Sequence, residues 1–193
     1  LRQQVQKKGS EACYYSLSDF IMPADTQKTD YIGVFTVTAG KEIENRIEYY
    51  KQQDDNYNAL LLQSLSDRIA EAATELLHYR VRKEIWGYSP NETATVENLL
   101  KEHYQGIRPA IGYPSLPDQS LAFDIDKLLG FDQIDVSLTE NGAMKPNSTI
   151  SGIMIAHPQS AYFHIGQIDM EQRAEYCKKR NFSIEDSYKW LSV

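Results

Sequence analysis

The stretch of this chain with the most chemistry in it is Arg108-Pro-Ala-Ile-Gly-Tyr-Pro-Ser-Leu-Pro117. A guanidinium offers two parallel donors in a fixed plane, which suits a two-point grip on a carboxylate. Tyr113 follows five residues later and adds a flat ring with a polar tip. Pro109, Pro114 and Pro117 fix φ and keep the residues before them out of the helical region. The run therefore reads as an extended, stiff loop whose shape is set before any ligand arrives, which lowers the ordering cost of binding. An alternative stays open on the residues alone: Arg108 could pair with an acidic neighbour and merely pin the loop.

Tyr162 and Phe163 are a second candidate. Adjacent residues of an extended segment point to opposite faces, so one ring is expected in the core while the other is available to a ligand. Glu71 and Glu102 could each face a sulfonium or an amine, although a solvated surface position is the default reading for both. His157 precedes Pro158 in what reads as a turn, a structural place for a histidine. His78, His103 and His164 show no metal-ligand spacing, and there is no CxxC, HExxH, P-loop or dinucleotide glycine pattern. No residue is singled out as catalytic.

The chain has 193 residues, enough for one large domain or a compact pair, with 41% hydrophobic and 24% charged residues. No apolar run approaches the roughly 20 residues that span a bilayer, so no membrane partner is expected. The net charge of −7 argues against nucleic acid, which selects a basic face. Two distant cysteines, Cys13 and Cys177, fit reduced thiols and a cytoplasmic setting. The polar opening from Leu1 to Ser10 does not read as a signal peptide, and the initial leucine suggests a processed product or an excised piece.

The elements that must position these residues follow from pattern. Leu1 to Lys8 reads as the end of a helix stopped at Gly9. Tyr31 to Thr38 reads as a strand and Glu42 to Lys51 as a short helix. Asp54 to Trp86 carries the strongest helical signal, with Leu62, Leu65, Ile69, Ala72 and Leu76 on one face as the expected core stripe. Val96 to Tyr104 is a further helix. Asp118 is placed to cap a helix running to Leu129 and closed by Gly130. Ile134 to Thr139 reads as a strand, with a turn at Glu140-Asn-Gly142. Ile150 to Ala156 and Tyr162 to Ile168 read as the two strands of a hairpin. Asp169, with Gln172 completing a capping box, starts a helix to Arg180, and Ser183 caps one ending near Trp190. The class is α+β.

Several segments, in order and over nearly the whole chain, resemble the activation (reactivation) domain of cobalamin-dependent methionine synthase. They are Ser16-Leu-Ser-Asp-Phe-Ile21, Asp30-Tyr-Ile-Gly33, Leu65-Ser-Asp-Arg-Ile-Ala-Glu71, Val81-Arg-Lys-Glu-Ile-Trp-Gly-Tyr88, Tyr104-Gln-Gly-Ile-Arg-Pro-Ala-Ile-Gly-Tyr-Pro114, Glu140-Asn-Gly-Ala-Met144, Ser151-Gly152 with Ala156-His-Pro158, and Tyr162 to Ile168. The resemblance implies a twisted antiparallel sheet flanked by helices, spanning residues 1–193 as one S-adenosylmethionine-binding domain. It implies that Arg108 binds the methionine carboxylate of S-adenosylmethionine and that Tyr162 and Phe163 line the ligand. Tyr113, Glu102 and Glu71 match positions near the groove. The implied role is part of a larger methyltransferase, not catalytically complete alone. The methyl group of S-adenosylmethionine rescues oxidised cobalamin, which is held by a separate cobalamin-binding domain, with an electron from a flavodoxin-like or reductase donor. Two departures stand out. The family domain carries an N-terminal stretch, with an acidic residue beside a tryptophan, that has no counterpart here. Ile111 and Gln119 stand where proline and histidine are common. A docking module without S-adenosylmethionine binding, and a stand-alone binding protein with another methyl acceptor, are the competing readings.

Overall fold

The computed structural model describes residues 1–4, 13–93 and 95–191. The chain forms two compact units: Leu1–Gly33 with Gln105–Gln119 and Ile153–Val193, and Val34–Tyr104 with Ser120–Gly152. The class is α+β, as the sequence implies, and among the described residues the β structure is made of two small two-stranded sheets set among helices.

In the first unit the core is Phe20, Ile107, Ile155, Phe163 and Ile165, with Leu1, Leu17, Ile21, Ile153 and Ile168 packed around it. Leu1–Gln4 is not helical. Arg2 bridges to Ser16, and the amide of Gln3 donates to the Tyr15 carbonyl at 2.7 Å. Arg2 also makes a two-point ion pair with Asp19, at 2.6 and 2.8 Å. These pairings hold the segment extended where a weak local helical pattern suggested otherwise; the remainder of that expected helix lies outside the described residues. Helix α5, Met170–Arg180, is capped by Asp169, whose carboxylate accepts from the Gln172 amide at 2.8 Å. The Gln172 side chain does not close a capping box; its Oε1 accepts instead from the Arg2 amide. Helix α6, Ile184–Trp190, has the reciprocal cap of Ser183 and Asp186.

The expected hairpin is half right. Strand β4, Thr149–Met154, forms, but residues 161–168 contain no strand. The backbone groups of this segment are used elsewhere: the Ile165 amide donates to the Pro114 carbonyl at 3.1 Å, and its carbonyl accepts from Gln4 at 2.6 Å. The partner of Ile153 and Ile155 is the arginine–proline loop, with Ile107 and Ile155 exchanging two 2.9 Å bonds and Ile153 donating to Pro109 at 3.1 Å.

In the second unit β1, Gly33–Thr38, pairs with β4. Helix α1, Lys41–Gln52, packs along the 25-residue α2, Asn56–Arg80, whose N-terminus is capped by Asp55. A π-turn, Val81–Ile85, continues α2. The buried face of α2 is Ala59, Ser66, Ala70, Thr74 and His78, not the leucine stripe. Small side chains permit close approach, and their hydroxyls are satisfied: Ser66 bonds Ser148 at 2.6 Å, and Thr74 donates to the Ala70 carbonyl at 2.8 Å. Leu65, Ile69 and Leu76 are 53%, 43% and 59% exposed, so the expected core stripe faces outward. Arg82, fully buried, grips Glu92 with two 2.7 Å bonds, and its guanidinium lies 3.9 Å over the Tyr104 ring.

Helix α3 is short, Val96–Leu100, and α4 spans Leu121–Leu129, closed by Gly130 in the left-handed region. Ser120, not Asp118, stands at the α4 N-terminus. Strands β2, Ser137–Leu138, and β3, Met144–Lys145, form an antiparallel hairpin across the expected turn, with Leu138 opposite Met144. Ile134, expected to open the β2 strand, instead ends a 3-10 turn, Phe131–Ile134.

Candidate ligand-binding site

The loop that carries Arg108 is hydrogen-bonded along its length, to its own residues and to the segments around it. Pro109 and Pro117 are fully buried, and the carbonyls of Pro109 and Pro114 accept from Ile153 and Ile165. Proline cannot donate, so the sequence places it where only the acceptor is needed. Within the loop, Gly112 donates to Leu116 and Leu116 to Tyr113, each at 2.9 Å. Gly112 sits at φ +82°, a conformation strained for any residue with a side chain, and a Cβ there would lie 3.0 Å from the Gln119 side-chain oxygen, which would have to shift. At the far end Asp118 is buried, accepting from the Tyr176 hydroxyl at 2.6 Å and lying 3.2 Å from Arg180. The hydrogen bond and the ion pair anchor the loop to α5.

Arg108 is half-buried at the head of this loop. Its backbone amide donates to the Tyr162 hydroxyl at 2.9 Å. Two residues 54 positions apart in sequence are thereby joined directly. Tyr162 is 37% exposed and Phe163 7%, the division of labour expected of adjacent residues in an extended segment. Phe163 is a core ring, 6.1 Å from Tyr15, and fixes the backbone that carries Tyr162. Tyr113, at the loop tip, is 52% exposed. Arg108, Tyr113, Tyr162 and Phe163 all belong to the first unit. Glu71, half-buried on α2, and Glu102, exposed just beyond α3 with φ +53°, belong to the second.

The turn histidine is structural: His157 Nδ1 accepts from the Gln159 amide at 3.1 Å, and its ring lies 5.8 Å from Phe20. Among the described residues no group of three histidine, cysteine or acidic side chains could hold a metal. A cavity of about 650 Å³ lies in the first unit, over Leu17, Leu116, Pro117, Ile153 and Ile165. It touches the loop on its Ser115–Asp118 side, and none of Arg108, Tyr113, Tyr162 or Phe163 lines it. Sequence reasoning missed the Arg108–Tyr162 bond and the Asp118–Tyr176–Arg180 anchor. Neither leaves a signal in sequence, because each joins residues brought close only by the fold.

The arrangement is a guanidinium and an exposed aromatic ring on a rigid, hydrogen-bonded frame. Residues 1–181 match the family described as vitamin B12 dependent methionine synthase, activation domain. Among solved structures, the whole chain matches the MetH reactivation domain bound to AdoHcy, with 41% sequence identity and a TM-score of 0.90. It spans 59% of that chain's length. The chain belongs to the activation-domain family of vitamin B12-dependent methionine synthase.

Proposed function

We propose that this chain binds S-adenosylmethionine and serves, as a domain of a larger methyltransferase, in the reductive methylation of cob(II)alamin. The observation that carries this reading is the bond from the Arg108 amide to the Tyr162 hydroxyl, which sets the loop arginine beside the exposed ring. That the related solved domain holds AdoHcy, the demethylated form of the same ligand, supports the choice of ligand.

In this reading Arg108 grips the methionine carboxylate with a two-point, charge-assisted pair. Tyr162 and Tyr113 flank the ligand, and Phe163 holds Tyr162 in place. When bound, S-adenosylmethionine supplies a methyl group already activated by its sulfonium. The protein's residues therefore contribute orientation, which in well-positioned reactions is worth several kcal/mol, and no proton transfer. The acceptor is cobalamin held by a separate domain, reduced by one electron from a flavodoxin-like or reductase donor, in the cytoplasm.

Thermal unfolding with and without S-adenosylmethionine tests the ligand assignment. A ligand at 100 times its Kd stabilises by about 2.7 kcal/mol, which raises the midpoint by several degrees. Arg108→Ala should abolish that rise, measured against the variant's own ligand-free midpoint. Arg108→Lys should restore only part, because an ammonium cannot reproduce the fork. An equal rise in wild type and Arg108→Ala would contradict the assignment. No rise in wild type would favour a docking module that does not hold the ligand.

A further inference from the structure

Arg108 and Tyr113 stand on one loop but are held by different parts of the first unit. The limb that carries Arg108 is tied to Ile153 and Ile155: Ile107 and Ile155 exchange two 2.9 Å bonds, and Ile153 donates to the Pro109 carbonyl at 3.1 Å. Tyr113 sits in a tight turn, bridged to Leu116. Bonds of 2.9 Å run from the Gly112 amide to the Leu116 carbonyl and from the Leu116 amide to the Tyr113 carbonyl. Toward Arg108 the turn is tied by a longer bond, from the Tyr113 amide to Ala110 at 3.3 Å. The Tyr113 ring is 52% exposed, so the backbone that carries it sets where it stands.

The outgoing limb of that turn runs through Pro117 to Asp118. The Asp118 carboxylate is only 2% exposed, accepts from the Tyr176 hydroxyl at 2.6 Å and lies 3.2 Å from the Arg180 Nε. One residue on, the Gln119 amide donates to the Trp190 carbonyl at 2.9 Å. A buried carboxylate is costly unless a charge and hydrogen bonds meet it. Both come here from α5, and charge-assisted bonds are short and directional. Any shift of the limb that parts Asp118 from Tyr176 and Arg180 leaves a buried charge unmet, so the limb has one favourable seat. All of these residues belong to the first unit.

We propose that Asp118, held by Tyr176 and Arg180, is a positioning residue for Tyr113 and, through it, for S-adenosylmethionine. The ligand half of the inference rests on the reading in which Tyr113 flanks that ligand. The loop's work is thereby divided: Arg108 is set from Ile153 and Ile155, and Tyr113 is set from α5. Loosening the α5 clamp releases the tyrosine while the arginine keeps its place.

Two variants test this. Asp118→Asn removes the charge and keeps an acceptor for Tyr176; the Arg180 side chain, 26% exposed, can turn toward water. Tyr176→Phe removes the hydroxyl and leaves the ion pair. Amide exchange is followed by NMR without ligand. In both variants the Gly112 and Leu116 amides should exchange about fivefold faster than in wild type, while Ile107 and Ile155 keep their wild-type rates. An equal acceleration at all four amides would mark a general loss of stability and overturn the proposal, as would unchanged rates at Gly112 and Leu116. Calorimetry should then show S-adenosylmethionine bound about fivefold more weakly by each variant. In a Tyr113→Ala background, Asp118→Asn should weaken binding no further, because a residue that acts through Tyr113 has nothing left to position. The full loss in that background would overturn the proposal. Absence of binding by the wild-type chain would overturn the ligand reading and the ligand half with it; the exchange pattern decides the other half independently.

Discussion

Replacing Tyr162 by Phe removes one oxygen and leaves the ring. The lost oxygen accepts the Arg108 amide at 2.9 Å, and it is the described hydrogen bond that ties the loop's first residue to the aromatic segment. A neutral bond of this kind contributes about 1 kcal/mol net, because water can replace the partner at a site open to solvent. The rest of the loop frame, from Ile107 through Pro114, keeps its own backbone bonds. The loss should therefore appear as local loosening around Arg108, not as global unfolding. A 1 kcal/mol rise in the cost of holding Arg108 in place corresponds to about a fivefold weaker Kd for S-adenosylmethionine. It also corresponds to a comparable acceleration of hydrogen exchange at the Arg108 amide. Calorimetric titration and amide exchange followed by NMR measure the two quantities on the same protein. If neither the Arg108 exchange rate nor the affinity changes in Tyr162→Phe, the bond does not position the arginine and the reasoning fails.

Glu92→Ala leaves the fully buried guanidinium of Arg82 without its two-point partner and should destabilise by about 3–5 kcal/mol. The double change Arg82→Met with Glu92→Leu should cost far less; urea unfolding of both checks the pair, and equal losses would contradict it. Gly112→Ala places a Cβ 3.0 Å from the Gln119 oxygen at φ +82°, and should lower stability by about 1 kcal/mol or more, read from the same urea curves. The hydrogen bonds from Arg2 hold the Asp19 carboxyl below the usual aspartate range, with the Ser16 amide adding to the effect. A depressed folded pKa contributes stability that is present above the unfolded value of about 3.9 and is lost as the pH falls below it. Asp19→Asn should accordingly flatten the acid limb of stability against pH; an unchanged limb would show that the pair contributes little in solution.

How much was legible in the sequence depends on whether the signal is local. The caps of α5 and α6, Asp169 and Ser183, and the stop at Gly130 are set by neighbouring residues and read correctly. The non-helical course of the arginine–proline loop was legible for the same reason, since proline acts on its own and the preceding residue. The leucine stripe of α2 misled because periodicity reveals that an apolar face exists and not what covers it. The helix in fact buries alanine, serine and threonine, a face that looks ordinary in sequence and works through close packing and internal hydroxyl bonds. The second hairpin strand failed because Ile165 bonds to Pro114 and Gln4, partners that only the tertiary fold supplies. Asp118 failed likewise: its position before a helix suggested a cap, while Tyr176 and Arg180, far along the chain, claim it. At the site, the division between an exposed Tyr162 and a buried Phe163 followed from alternation. The bond that joins Tyr162 to Arg108 did not.

Titration of S-adenosylmethionine into the unmodified 193-residue chain by calorimetry tests the central claim most directly. The account predicts one site per chain with a Kd in the micromolar range, near −8 kcal/mol. Absence of heat at high micromolar concentrations of both partners would contradict it for this chain.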